Sequence, residues 1–187
     1  MIPRLKKLYK EQFTPELMTE LDIKNIHDVP RMEKIIVAIG TGRSKDDKKH
    51  QELIASNLKK ITGQAPVERI AKKSIASFKI RKGMGAPLGH MVTLRGDQMY
   101  EFMDRLINVA MPRIRDFHGA SNKAFDAQGN YTFGITEQSI FPELSFEDTA
   151  ILHGLQVTFV IKNNGKDESK ALLTKFGIPF EKERGDK

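Results

Sequence analysis

Residues 64–110 read QAPVERIAKKSIASFKIRKGMGAPLGHMVTLRGDQMYEFMDRLINVA, and three patterns follow one another along them. Gln64 to Ile70 begins as a strand, and Met91 to Arg95, entered after Gly89, reads as another. Gly96-Asp97 then opens a helix whose Met99, Met103, Leu106 and Ala110 make one apolar face. Phe102, Ile107 and Val109 widen that face until Pro112 breaks the pattern. The stretch joining the two strands, with Gly83, Gly85, Pro87 and Gly89 near its far end, is too long for a tight hairpin. Long loops inside compact domains are commonly functional or disordered.

The flanks extend this alternation. Upstream, Thr14-Pro15-Glu16 has the chemistry of a helix start: a capping hydroxyl, a proline at the first helical position and an acid in the first turn. Glu33 to Ile39 (EKIIVAI) is short, β-branched and closed by Gly40-Thr41-Gly42, as a mostly buried strand would be. Ser44 is placed to cap a helix with Asp46 and Asp47 in its first turn and Ile54, Leu58 and Ile61 on its apolar face, and Gly63 would stop it. Downstream, residues 112–130 are turn-rich. Tyr131 to Thr136 and Leu155 to Ile161 read as strands, and a helix is expected from Asp167 to about Phe176, ended by Gly177 and Pro179. Strands and helices are interspersed, without repeat or linker. The expectation is one domain over 1–187: an α+β fold with a mainly antiparallel sheet covered by helices and a long basic loop between two strands.

Charge singles out that loop. The chain of 187 residues holds 31 Lys+Arg against 24 Asp+Glu. Residues 69–96 alone carry Arg69, Lys72, Lys73, Lys79, Arg81, Lys82 and Arg95 with no acid, so the remainder balances at 24 of each sign and the whole excess of +7 lies in one window. A solvated surface normally mixes both signs, and a field this concentrated points to a polyanion. No apolar run approaches the roughly 20 residues of a membrane span, and MIPRLKKLYKEQF lacks a signal peptide's apolar core. The absence of cysteine excludes disulfides and thiolate chemistry. A cytoplasmic, nucleic-acid-binding protein without a membrane partner is expected.

Catalytic patterns are weak. The turn Gly40-Thr41-Gly42 imitates the start of a dinucleotide site, but the sixth position of that fingerprint is Lys45, which would crowd helix against strand. A nucleotide-dependent enzyme built on this turn is the alternative reading, and a plain glycine turn is the better one. His27, His50, His90, His118 and His153 show no metal-ligand spacing. Asp97, Glu101 and Asp104 share a helix face and read as a solvated surface rather than a cation site. No catalytic residue, cofactor or metal is expected.

In the basic window, by contrast, small and hydroxyl residues (Ser74, Ala76, Ser77) alternate with the cations and let backbone approach phosphates. Gly83, Gly85 and Gly89 let the loop adapt its path, and Phe78 offers one ring for stacking on a base, or alternatively a plug into the core.

Several stretches resemble the family of bacterial large-subunit ribosomal protein five: ITGQAPV (61–67), AKKSIASFKIRKGM (71–84), VTLRGDQMYEFMDRL (92–106), PRIRDFHG (112–119), FDAQGNYTFGITEQSIFPE (125–143) and LLTKFGIPF (172–180). The strings span nearly the whole chain in the family's order. The resemblance implies a non-enzymatic ribosomal component that binds 5S rRNA and large-subunit rRNA, touches peptidyl-site tRNA, and bridges to small-subunit protein thirteen beside other central-protuberance proteins. By motif, Gln64, Lys72, Thr93 and Arg95 would belong to the rRNA face. Lys73, Ser74, Ser77, Phe78, Lys79, Arg81, Lys82 and Gly83, in the loop at about 73–88, would reach the tRNA. Arg113, Arg115 and Phe141 would lie toward the intersubunit bridge. Two departures stand out: Ala38 replaces an asparagine usual in the family's first strand, which removes an amide contact to RNA, and the tip KGMGAPLG is slightly longer than the family's. The ends of the basic segment would then serve 5S rRNA and its middle a second RNA.

Overall fold

The computed structural model describes residues 2–42, 47–78, 80–83, 87–162 and 165–181. Five strands form one mainly antiparallel sheet in the order β2-β3-β1-β5-β4: β1 (Arg31–Gly40), β2 (Val67–Arg69), β3 (Gly89–Leu94), β4 (Tyr131–Ile135) and β5 (Leu155–Lys162). The helices are α1 (Arg4–Leu8), α2 (Thr14–Glu20), α3 (Lys48–Thr62), α4 (Gly96–Arg105) and α5 (Lys166–Lys175). The expected α+β class and the long loop between two strands are both found. The backbone groups into two compact units, one of Met1–Ile35, Arg95–Phe133 and Thr158–Lys187, the other of Ile36–Leu94 and Gly134–Val157.

In the first unit, the chain is helical from Arg4, so Thr14-Pro15 is not a helix start. A π turn (Tyr9–Phe13) precedes α2, and the Thr14 hydroxyl donates to the Tyr9 carbonyl at 2.7 Å. The widened turn accommodates a proline whose ring and missing N–H would disrupt a regular helix. Helix α4 starts where expected and buries Met99, Phe102, Met103, Leu106, Ile107 and Ala110, while Val109 is exposed. It runs into a π turn (Leu106–Ala110) and a 3-10 turn (Met111–Arg113) holding Pro112. Asp97 and Glu101 are exposed and Asp104 half-buried, on a solvated face as expected, and two of these acids pair with α1: Arg4 binds Asp104 at 2.6 Å, and Lys6 binds Asp97. The Arg4 guanidinium holds the Asp104 carboxyl below its usual range. The rings of Tyr9 and Phe13 pack on Phe176 at the end of α5, with centroids 6.0 and 5.5 Å apart.

In the second unit, Asp47 rather than Ser44 caps α3, accepting from the His50 amide at 3.2 Å. Ser44 and Asp46 lie outside the described residues. Ile54, Leu58 and Ile61 are buried as their spacing requires, and Gly63 ends the helix at φ +72°. Strand β2 is shorter than the expected 64–70. Pro66 cannot donate to a ladder, and the Gln64 amide turns back to the Thr62 hydroxyl at 3.3 Å. Along β3, His90, Val92 and Leu94 are buried while Met91 and Thr93 are half-exposed, so the strand presents one covered face and one open face.

Candidate nucleic-acid interface

The basic loop is a folded arm. Antiparallel pairing of β2 with β3 (Val67 opposite Met91, Arg69 opposite Gly89) continues past the strands, with the Leu88 amide donating to Arg69 O at 2.8 Å and the Gly83 amide to Ala71 O at 3.1 Å. Farther out, Ile75 and Ile80 exchange both backbone bonds, at 2.9 and 3.1 Å, around a 3-10 turn over Ala76–Phe78. The Ser74 hydroxyl accepts the Lys82 amide at 2.9 Å. These bonds tie the two limbs of the arm together without a core beneath them, and no described residue of 70–88 is buried.

Lys72, Lys73, Arg81 and Lys82 are therefore exposed, as are Ser74, Ser77 and Gly83, the last at φ +67°. Phe78 is 65% exposed, so its ring does not plug the core. Lys79 and the tip residues 84–86 lie outside the described residues. Ser74 differs from the other loop residues in having its oxygen committed within the arm.

The base of the arm explains the glycine turn. The Thr41 amide donates to Leu88 O at 2.9 Å, and the Thr41 hydroxyl donates to Pro87 O at 3.1 Å. That amide is used to hold the returning limb of the loop and is not presented to a pyrophosphate. Sequence gave no sign of this clamp, because its two sides are 46 residues apart. At Gly89 an added Cβ would lie 2.7 Å from the Ile39 carbonyl, so only glycine permits the close approach.

On the open face of the sheet the Gln64 side chain donates to Thr93 O at 3.4 Å, which brings two expected rRNA residues together. Lys72 lies on the arm. Arg95 points to Glu33, 3.6 Å away. A shallow hollow of about 410 Å³ lies at the sheet end where the arm leaves, with Ala38, Arg69, Met91 and Gln156 among its walls. Ala38 thus sits in the hollow, and Arg69 and Gln156 are polar groups there. Arg69 is the first cation of the basic window, whereas Gln156 has no sequence signal beyond its parity on a strand.

Arg113 and Arg115 are exposed in the first unit, whereas Phe141 belongs to the second and is 3% exposed. Its ring anchors the segment Thr136–Gly154 rather than presenting a surface. That segment is held from within. Asp148 receives the Lys60 ammonium at 2.7 Å on both oxygens and the Ser145 amide and hydroxyl at 2.9 and 2.8 Å. These bonds, the Lys60 ammonium foremost, bring its carboxyl down to about 2. Buried His90 hydrogen-bonds Gln51 at 3.0 Å, and desolvation lowers its pKa, with Glu68 opposing. Burial likewise lowers His153.

Comparison with known proteins accounts for both halves of the chain. The family model described as Ribosomal protein L5 matches residues 25–81, and that of the ribosomal L5P family C-terminus matches residues 87–180. The large ribosomal subunit protein uL5 of Synechococcus sp. (strain JA-2-3B'a(2-13)) is 52% identical over 96% of this chain and 99% of its own. The uL5 proteins of Alkaliphilus oremlandii and Ureaplasma parvum are 48% and 49% identical, over 96% and 98% of this chain and 99% and 98% of theirs. With both family models matched in order and half of all residues shared across nearly the full length, the chain belongs to the ribosomal protein L5 family.

Proposed function

We propose that this chain, a structural and non-enzymatic constituent of the large ribosomal subunit, binds 5S rRNA through the open sheet face around Gln64 and Thr93. Its site of action is the ribosome, in the bacterial cytoplasm. The basic arm contacts peptidyl-site tRNA, large-subunit rRNA and neighbouring central-protuberance proteins complete the surroundings, and the exposed Arg113 and Arg115 face the bridge to small-subunit protein thirteen. The observation that carries this reading is the arm itself: backbone hydrogen bonds tie its two limbs together, and its described cations, Lys72, Lys73, Arg81 and Lys82, are exposed. Cations held apart from any acid on a self-supporting arm suit phosphate backbones, which are bound electrostatically and largely without regard to sequence.

The test is binding to 5S rRNA across a salt series. Affinity should fall steeply as salt rises and should exceed that for an unrelated duplex RNA. Equal affinity for both RNAs at physiological salt would refute the assignment. The competing enzyme reading requires a response to ATP, NAD or NADP in calorimetry, and none is expected.

A further inference from the structure

A hollow of about 1120 Å³ lies within the first unit, and none of the residues assigned above to rRNA, tRNA or the bridge lines it. Its size slightly exceeds the roughly 300–1,000 Å³ of typical small-ligand sites, leaving room for a nucleotide with its flanking phosphates. Two rings line it. Phe117 is backed edge-on by Phe133 at 6.3 Å, and Phe180 by Phe125 and Tyr131 at 5.9 and 5.4 Å, so both half-buried rings are supported from behind. Two exposed lysines, Lys123 and Lys166, also border it, against one carboxylate, Glu181.

The walls are rigid. The Ala120 amide donates to Pro179 O at 2.7 Å and the Glu181 amide to Ala120 O at 3.0 Å. Asn122 donates its side-chain amide to Glu181 O at 2.8 Å. Gly119, at φ +113°, approaches this seam so closely that an added Cβ would lie 2.6 Å from the Glu181 nitrogen. A concavity with fixed walls loses little entropy when it is filled.

We propose that this hollow binds an unpaired nucleotide of RNA, its base stacked on Phe117 or Phe180 and its flanking phosphates met by Lys123 and Lys166. Supported aromatic rings beside cations are what single-stranded RNA sites require, because stacking and charge together hold a base with its backbone. An acidic peptide would use the lysines and leave the rings idle. The site is additional to the sheet face and the arm, and it stands or falls separately from them.

The test is titration of the isotope-labelled full chain with hexaadenylate, read residue by residue by NMR. Resonances of 117–123, 166 and 179–181 should shift together, and Lys123→Glu/Lys166→Glu should weaken binding at that site about tenfold while leaving shifts within 64–95 unchanged. Phe117→Leu, which keeps an apolar side chain, should also weaken binding there. Shifts confined to 64–95, an unaltered affinity in the double lysine variant, or equal shifts with hexaglutamate would each overturn the proposal. A failure of the sheet-face assignment would show instead as 5S rRNA binding that persists when Gln64 and Thr93 are replaced.

Discussion

Two connections of the second unit have the same length and opposite chemistry. Between β2 and β3 run 19 residues, 70–88, with five cations and no acid; between β4 and β5 run 19 residues, 136–154, with four acids and no cation. The acidic connection is drawn into the fold. Gln138, Ile140, Phe141 and Asp148 are buried, Gln138 bonds both the His153 amide and the Ile151 carbonyl, and Asp148 is wrapped by Lys60 and Ser145. The basic connection buries no described residue; its limbs are tied to each other by backbone bonds, and Thr41 holds its return to the sheet. A charge paired inside a protein is costly to unpair, and a charge left outside is available to a partner. Both loops rejoin the sheet at a glycine packed against a neighbouring carbonyl, Gly89 against Ile39 and Gly154 against Ile135.

The contrast breaks first at its strongest point. Asp148→Ala should cost about 2–3 kcal/mol in urea unfolding, because Lys60, Ser145 and the loop lose a shared partner. A loss below 0.5 kcal/mol, the ordinary size for a surface change, would show that the acidic loop is not anchored there. Next, Gly89→Ala should cost about 2 kcal/mol and Gly154→Ala less, since the respective approaches are 2.7 and 2.9 Å. Equal melting temperatures for these variants and the parent would mean that the strands shift freely.

Neutralising Lys79, Arg81 and Lys82 together to Gln should change stability by no more than about 0.5 kcal/mol. It should spare 5S rRNA binding and weaken tRNA binding, reducing the salt slope by about 2–3. Loss of 5S rRNA binding in this variant would assign the arm to the other RNA.

The last test is of pH dependence. His90 and His153 are held neutral by burial, so their stabilising contribution is complete above the ordinary histidine pKa near 6.5 and declines as pH falls below it. Asp148, with its carboxyl lowered to about 2, contributes above the usual carboxylate range and is lost between about pH 4 and 2. Melting temperature should fall in two steps. Gln at both histidines removes the first step, and Asp148→Asn removes the second.

Much of the scaffold was legible because it depends on local periodicity. The faces of α3 and α4, the stop at Gly63 and the strands at β1, β3 and β5 follow from spacing alone. Errors arose where a local signal met a distant partner or a neighbouring turn. Thr14-Pro15 has the chemistry of a start, yet the chain ahead of it was already helical. Asp97 and Asp104 do lie on a solvated face, but their ion partners Lys6 and Arg4 come from α1, 91 and 100 residues away, which no local signal indicates. In the candidate interface, the exposed cations were readable from composition, whereas Phe141, matched to a surface role, is held in the core.

What distinguishes the two 19-residue loops in the linear chain is only their sign of charge. That one would stand as a self-bonded arm and the other fold inward depends on partners far away in sequence: Thr41 for Leu88, and Lys60 for Asp148. Charge is a property of composition and survives any fold, so the excess of +7 in residues 69–96 points to a polyanion from sequence alone. Whether a given charge is spent inside or left outside depends on which groups folding brings within hydrogen-bond reach, and that is set by the sheet order, not by neighbours in the chain.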